Sequence, residues 1–502
     1  MIHYIYIPTG LNSPMLEILL SEAQDLINKK LKVEIVLFKF GEVFSCSKNI
    51  FSQKFISIAS EEKIKLGLKK ITGKYNISYI ENKKDHRKIL NQLNYDPEKL
   101  KKFKFEGIDF GNAIYSSYVG LSRDAEFDGL LRKYALRKLL KSSLNIYFFF
   151  KKKLNSNSKI ILYNGRHNES RPIVRYCNKK SISVDVMEFS GDGEKNIGVR
   201  RFKNHLPTDL KEMEKNIKSF WNNDSPQSNK CDYYFKYKRA GRVINDRVSY
   251  ILKQKKKLLP DGWDNAKKNI VYFTSSQDEY SCLGGIYDQT IYKNQNDSIF
   301  KIVREFKKNN KKNNKYNLFI RCHPYLEKVF WKYNRDVINL HDPKSNIYVV
   351  KPGSIVSSYE MLLNADKILT YNSQTGIEAV YWEKPSIILG RRVYENLNCV
   401  YKPRNHKNVM QLIYNDGLKA KSKLGSIIYA SYWVDGGFTY KTFTGSMKNG
   451  YKFKKNYIIN SRLVRILYLV SKGIQYYIYN YILNYKLGSV INFFKNDRYI
   501  RK

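Results

Sequence analysis

Acidic residues are scarce: 45 Asp and Glu stand against 90 Lys and Arg in 502 residues, a formal net charge of +45. Cysteine is scarcer still. Cys46, Cys177, Cys231, Cys282, Cys322 and Cys399 lie far apart and no two share C-x-x-C spacing, which argues against a structural zinc site and fits reduced thiols in a cytosolic protein. No run of about 20 uncharged apolar residues occurs, so a spanning helix is not expected. The nearest approach, 466–494, is interrupted by Lys472 and Lys486. The opening MIHYIYIPTG lacks the basic and apolar segments of a secretory signal. Four motifs are also missing: the phosphate loop G-x-x-x-x-G-K-[ST], the dinucleotide fingerprint G-x-G-x-x-G, H-E-x-x-H, and any two aspartates two positions apart. Without that aspartate pair there is no D-x-D clamp for a metal–nucleotide. Transfer chemistry would then rest on protein donors, with neither metal nor cofactor.

What is present is a chain 42% hydrophobic and 14% aromatic, which excludes wholesale disorder and suggests two domains for this length. The positive charge points to nucleic acid, an anionic membrane surface or phosphorylated substrates. Codon bias, visible in abundant Lys, Asn, Ile and 41 Tyr, accounts for part of it. Residues 448–502 hold 12 Lys and Arg against Asp497 alone, so the charge is spread along the chain and densest at its end. No nucleic-acid-binding motif accompanies it, which argues against nucleic acid as partner.

Strand–helix–strand order recurs. Apolar strands are expected at 2–7, 32–38, 159–163 and 183–189, with helices at 15–29, 130–150 and 170–180. A charged helix is expected at 203–222, a linker edge at 223–232 and a helix at 243–259. A second α/β block follows, with strands at 269–274, 317–321, 347–350, 367–370 and 386–389, and helices at 294–309, 354–364 and 376–383. This predicts two Rossmann-like domains, 1–240 and 241–445, and a basic helical tail, 446–502. In the tail, Leu463, Ile466, Leu467, Val470 and Ile474 fall at helical spacing among Lys, Arg and Tyr. Such a helix either packs on the body or lies on anionic lipid.

Four constellations carry potential chemistry. Asn372-Ser373-Gln374-Thr375-Gly376-Ile377-Glu378 follows a strand and opens a helix. Ser373, Gln374, Thr375 and Gly376 there suit a phosphate and Glu378 suits ribose hydroxyls, although an ordinary N-cap explains the hydroxyls equally. Arg321-Cys322-His323-Pro324 ends another strand, where open α/β sheets bind ligands. His323 there can donate to a leaving phosphate near neutral pH, or simply bond its own loop. Ser275, Ser276, Gln277 and Asp278 follow a third strand, as donors and acceptors or as a polar turn. Asn164, Gly165, Arg166 and His167, with Arg171, Arg175 and Glu188, form a basic cluster at a fourth strand end, an anion site or a solvated surface.

Together these motifs resemble the capsule polysaccharide biosynthesis family, whose members are similar to GT-B glycosyltransferases such as the bacterial Kdo transferases. The resemblance runs through TSSQDEY at 274–280, the strand and HP pair at 318–324, and YNSQTGIEAVYWEKPSIILG at 371–390. NGRHNESR at 164–171, Glu188 and GIDFGNAIYSS at 107–117 also fit. Residues 1–100 and the tail match no family motif. The resemblance implies two Rossmann-like domains facing a cleft, a donor nucleotide sugar (CMP-linked in the Kdo case) in the C-terminal domain, and a glycan or lipid-linked glycan acceptor in the N-terminal one. It implies that His323 contacts the donor phosphate, that Ser373, Gln374 and Thr375 hold it with Arg321 nearby, and that Glu378 fits the nucleoside. Glu188 and Asp278 are the candidate bases. The cytoplasmic membrane face is the expected location. An epimerase of sugar nucleotides or a polyol-phosphate transferase remains the alternative on the same fold.

Overall fold

In the computed structural model of the chain, the residues described are all except 11–12, 40–52, 82–84, 130–131, 190–197, 225–227, 242–249, 282, 328, 330, 447–449 and 459–502. They form two compact units. Residues 1–189, 198–208 and 438–458 make the first and 209–437 the second.

The first unit is a six-stranded sheet of β1 (Ile2–Ile7), β2 (Lys32–Phe38), β3 (Asn76–Ile80), β4 (Ser158–Tyr163), β5 (Ser183–Phe189) and β6 (Val199–Lys203). Its spatial order is β3-β2-β1-β4-β5-β6, parallel except for the antiparallel β5–β6 edge. Both faces are covered, which is why β1 reads as a nearly continuous apolar run. Ile5 and Ile7 join a core with α1 (Met15–Asn28). Tyr6, on the opposite face, packs edge-on against Phe150 of the helix Arg132–Lys153, with ring centres 5.2 Å apart.

The second unit repeats the plan with five parallel strands: β7 (Lys268–Phe273), β8 (Tyr316–Arg321), β9 (Ile347–Val350), β10 (Lys367–Thr370) and β11 (Ser386–Ile388), ordered β9-β8-β7-β10-β11. Ile270 and Tyr272 enter one core, Val271 and Phe273 the other, as strand alternation requires.

Several sequence expectations change. The helix expected at 203–222 starts later, because an edge strand that was not expected occupies 199–203. Asn204, at φ +60°, turns the chain and the helix waits until Leu210. The polar stretch 223–232 is no linker edge, because a helix resumes at Ser228–Arg239. Cys231, Tyr234 and Phe235, spaced i, i+3, i+4, are its buried face. These helices therefore belong to the second unit, and the boundary expected at 240 falls near 209. Of the helix expected at 243–259, residues 242–249 lie outside the described residues and 250–253 form one tight turn.

The chain returns to the first unit at 438. A hairpin, Phe443–Ser446 with Gly450–Phe453, stands where the tail was expected to be helical. Phe443, Phe453 and Ile458 enter the same core as Leu16 and Leu20. Arg201 donates to Glu22 at 2.7 Å and to Asp185 at 3.2 Å, beneath the Phe438 ring, and the Tyr440 hydroxyl also bonds Glu22. The apolar stripe at 463–474 lies outside the described residues.

Three histidines give the fold a pH dependence. Burial is the largest influence holding His3, His167 and His406 below the usual imidazole range. His406 also bonds the Tyr292 hydroxyl at 2.8 Å. All three therefore stay neutral in the folded chain at pH values where the unfolded chain begins to take up protons. The stability they contribute is present above about pH 6.5 and lost as pH falls below it. Urea midpoints should decline from pH 7.5 to pH 5.5, and a midpoint that rises over that interval contradicts the assignment.

Candidate active site

In the second unit the strand order reverses between β7 and β10, the topology that places a crevice at the carboxyl ends of the two strands. Open α/β sheets bind ligands at such a point. Three of the four sequence motifs meet here. Ser275, after β7, accepts from the Asn372 backbone N–H through Oγ at 3.1 Å, tying the β7 loop to the β10 loop. Gln295 holds the Ser275 backbone from both sides, accepting from its N–H at 2.6 Å and donating to its carbonyl at 3.2 Å. Thr274 Oγ1 accepts from the His323 backbone N–H at 2.8 Å, which brings the end of β8 to the same place.

His323 Nδ1 accepts from the Tyr325 backbone N–H at 3.2 Å. The neutral ring therefore carries its proton on Nε2, the atom suited to donate to a ligand oxygen. On the other side of β7, Ser373 Oγ and Thr375 Oγ1 are 3.0 Å apart, and Ser373 Oγ also accepts from the Thr375 backbone N–H at 3.2 Å. Gly376 lets this turn lie against β10, since a Cβ there would stand 2.8 Å from Thr370 Oγ1 and 2.5 Å from the Tyr394 hydroxyl. The helix that follows, Thr375–Tyr381, is only two turns long. Its dipole is correspondingly small.

Ser276 is buried directly before the short helix Gln277–Tyr280, in which Asp278 lies, and Gln277 is buried within it. Three other sequence-selected residues serve the fold. Arg321 is buried and turns from the crevice to bind the Lys351 carbonyl at 2.7 Å, the Ser354 carbonyl and Ser358 Oγ. Burial without a carboxylate partner pushes its pKa down to about 10. Its donors are spent on a loop, so it does not supply the phosphate charge expected of it. The Gln374 amide donates to the Tyr234 hydroxyl at 2.6 Å and the Tyr429 hydroxyl at 3.0 Å instead of pointing to a phosphate. Glu378 has both oxygens engaged, one by Lys238 and one by the Tyr359 hydroxyl at 2.6 Å, so it is not presented to a ribose. Glu378→Ala should cost about 3 kcal/mol, because it strands a half-buried ammonium and a buried hydroxyl. An unchanged urea midpoint refutes that role.

In the first unit the equivalent point lies between β1 and β4. Asn164 and Gly165, both at positive φ, turn the chain after β4. Asn164 donates to the Glu188 carboxylate at 3.2 Å and accepts from the Arg166 backbone N–H at 3.2 Å. His167 lies 3.5 Å from Ser116 Oγ, and its burial keeps it neutral, so it adds no charge for an anion. Arg171 is buried against Asp109, with contacts of 2.7 and 2.8 Å, and is not an anion-binding group. Asn164, Gly165, Arg166 and Glu188 are thus brought together while Arg171 serves the fold.

Asn372, Gln295, Tyr394 and Tyr429 were not singled out from the sequence. Asn372 lies within a motif that was, and its position between a strand and a hydroxyl-rich turn was the available signal. A cavity of about 720 Å³ opens beside β9, lined by residues such as Leu258, Tyr348 and Val350, and contains none of the motif residues.

These features define an α/β protein of two Rossmann-like units, the second with three of the sequence motifs meeting at a strand-order reversal. Residues 232–402, which hold that point, match the model of the capsule polysaccharide biosynthesis protein family. No curated protein matches the chain. Among solved structures, the Thermosulfurimonas dismutans KpsC beta Kdo 2,4 transferase is 12% identical, over 55% of this chain and 79% of its own, with a TM-score of 0.34. The S. aureus MnaA–UDP structure is 10% identical over 86% and 93%, with a TM-score of 0.26. The UDP-GlcNAc 2-epimerase from Neisseria meningitidis bound to UDP-GlcNAc is 11% identical over 86% and 97%, with a TM-score of 0.25. None of these three likenesses bears on the reaction.

Proposed function

We propose that the protein is a metal-independent glycosyltransferase of capsular or surface polysaccharide synthesis, moving a sugar from a nucleotide-sugar donor to a glycan or lipid-linked glycan acceptor. The observation that supports this is the meeting of the 274–277, 323 and 372–376 segments at the strand-order reversal, within the stretch that matches the capsule polysaccharide biosynthesis family. An acceptor hydroxyl attacks the anomeric carbon, and the bond from that carbon to the phosphate oxygen breaks. His323 donates its Nε2 proton to the leaving phosphate, and the Ser373 and Thr375 hydroxyls bind its oxygens. Glu188 or Asp278 takes the acceptor proton. The Kdo-transferase resemblance favours a CMP-linked sugar. The basic stretch 448–502 holds the enzyme reversibly at an anionic, cytoplasmic membrane face, each basic residue contributing about 1 kcal/mol there.

Thermal-shift titration with CMP, CDP, UDP and GDP, and a short RNA as control, tests the reading. A ligand bound only by the folded state raises stability by about 2.7 kcal/mol at a hundredfold excess over Kd. One nucleotide should shift the midpoint selectively, and Ser373→Ala should reduce the shift. A salt-sensitive response to RNA with none to nucleotides defeats the proposal. Product analysis separates transfer from epimerisation, which needs no acceptor.

A further inference from the structure

Beside the crevice stands an arginine for which no carboxylate partner is found among the described residues. Two arginines follow Gly390. Arg391 binds the Glu395 carboxylate through Nε and Nη2, at 2.9 and 2.7 Å. Arg392 meets Glu395 only through its backbone N–H, at 2.9 Å. Its guanidinium meets a tyrosine instead. Nη1 donates to the Tyr280 hydroxyl at 2.7 Å, and the guanidinium carbon is 5.2 Å from the Tyr280 ring centre. The Nε–H is closed off from solvent, with no acceptor among the described residues. Contact with aromatic rings offsets part of the cost of withdrawing a cation from water, but leaves the charge uncompensated.

The position of this charge follows from its neighbours. Tyr280 closes the short helix after β7. The Tyr394 hydroxyl donates to the Ser373 carbonyl, and the Tyr429 hydroxyl accepts from Gln374. Tyr394 and Tyr429, which hold the 373–374 turn, are close enough to act electrostatically on Arg392. On the Tyr280 helix, Gln277 is only 7% exposed, yet its Oε1 has no donor. Ser281 Oγ, next in the chain after that helix, is also buried without a partner.

We propose that Arg392 binds a phosphate of the ligand while Gln277 Oε1 and Ser281 Oγ bind hydroxyls of the sugar attached to it, so that the site selects a phosphorylated sugar. The inference rests on the glycosyltransferase reading for the identity of that ligand, the donor nucleotide sugar, but the anion subsite itself does not depend on it.

The test is calorimetric titration of the full chain with CMP and UDP, their nucleosides and inorganic pyrophosphate, on wild type, Arg392→Gln and Arg392→Lys. Arg392→Gln should weaken the selected nucleotide by roughly 10- to 100-fold, the range of a lost charge-assisted hydrogen bond, and abolish pyrophosphate binding with nucleoside affinity unchanged. Arg392→Lys should lie between the two, since an ammonium keeps the charge without the fork. Nucleotide affinity within twofold of wild type in folded Arg392→Gln overturns the proposal, as does equal weakening of nucleoside and nucleotide. If Arg392→Gln does not fold, an unchanged nucleotide-to-nucleoside ratio in Arg392→Lys overturns it. Wild type that binds pyrophosphate but no nucleotide refutes the glycosyltransferase reading and leaves the anion site standing. Wild type that binds neither overturns both.

Discussion

His323→Ala should lower kcat by roughly 10²- to 10⁴-fold, the usual contribution of a positioned proton donor, while shifting folding stability by no more than about 1 kcal/mol. The asymmetry follows from what each part of the residue does. Its backbone N–H, which bonds Thr274 Oγ1 at 2.8 Å and joins the ends of two strands, survives the substitution. The ring accepts from the Tyr325 backbone N–H at 3.2 Å and packs edge-on near Tyr250 and Tyr325 at ring-centre distances of 6.1 and 6.5 Å. What is lost is the Nε2 proton. On a free-energy scale the rate effect is roughly 3–5 kcal/mol, several times the structural one. Single-turnover rates measured beside urea midpoints decide the matter. A rate within threefold of wild type removes His323 from the chemistry.

Gly390→Ala is expected to be comparably damaging by a different route. A Cβ at this position would stand 1.9 Å from Asn372 Oδ1 and 2.5 Å from the Tyr371 carbonyl, distances no relaxation of a flexible side-chain tip can absorb. Asn372 would have to leave Arg391, whose backbone N–H it accepts at 3.1 Å, and then Ser275. The two loops of the crevice would separate. We expect a stability loss of about 2–3 kcal/mol, as for overpacking of a tight interior, and loss of detectable nucleotide binding. Gly285→Ala is the control. Its backbone is strained for alanine, at φ +60°, but nothing lies within 4 Å of its Cβ position. It should cost about 1–2 kcal/mol and leave binding intact. If Gly390→Ala binds nucleotide as wild type does, the 372–390 contact is not what shapes the crevice.

The central strands were legible because burial on both faces writes a continuous apolar run, as in IHYIYI and NIVYF. The crevice loops were legible because hydroxyl and amide residues follow those runs directly. What could not be read were bonds whose partners are remote. Arg321 sits at a strand end, as a phosphate ligand would, but its acceptors lie 30 and 33 residues onward. Glu378 looks like a ligand group one turn into a helix, yet the lysine it neutralises is 140 residues away. The helix Ser228–Arg239 was obscured by a polar lead-in, although its buried residues have regular spacing. The hairpin at 443–453 has strands of four residues, too short for periodicity to mark.

That hairpin bears on how the chain is made. The core beneath α1 takes residues from Ile5 to Ile458, whereas the described residues of the second unit all fall within the one stretch 209–437. During synthesis the first sheet must wait, with one face short of Tyr440, Phe443, Phe453 and Ile458, until the segment through residue 458 has left the ribosome. The unit encoded in the middle is complete earlier and folds first, and the one that begins the chain is the last to close.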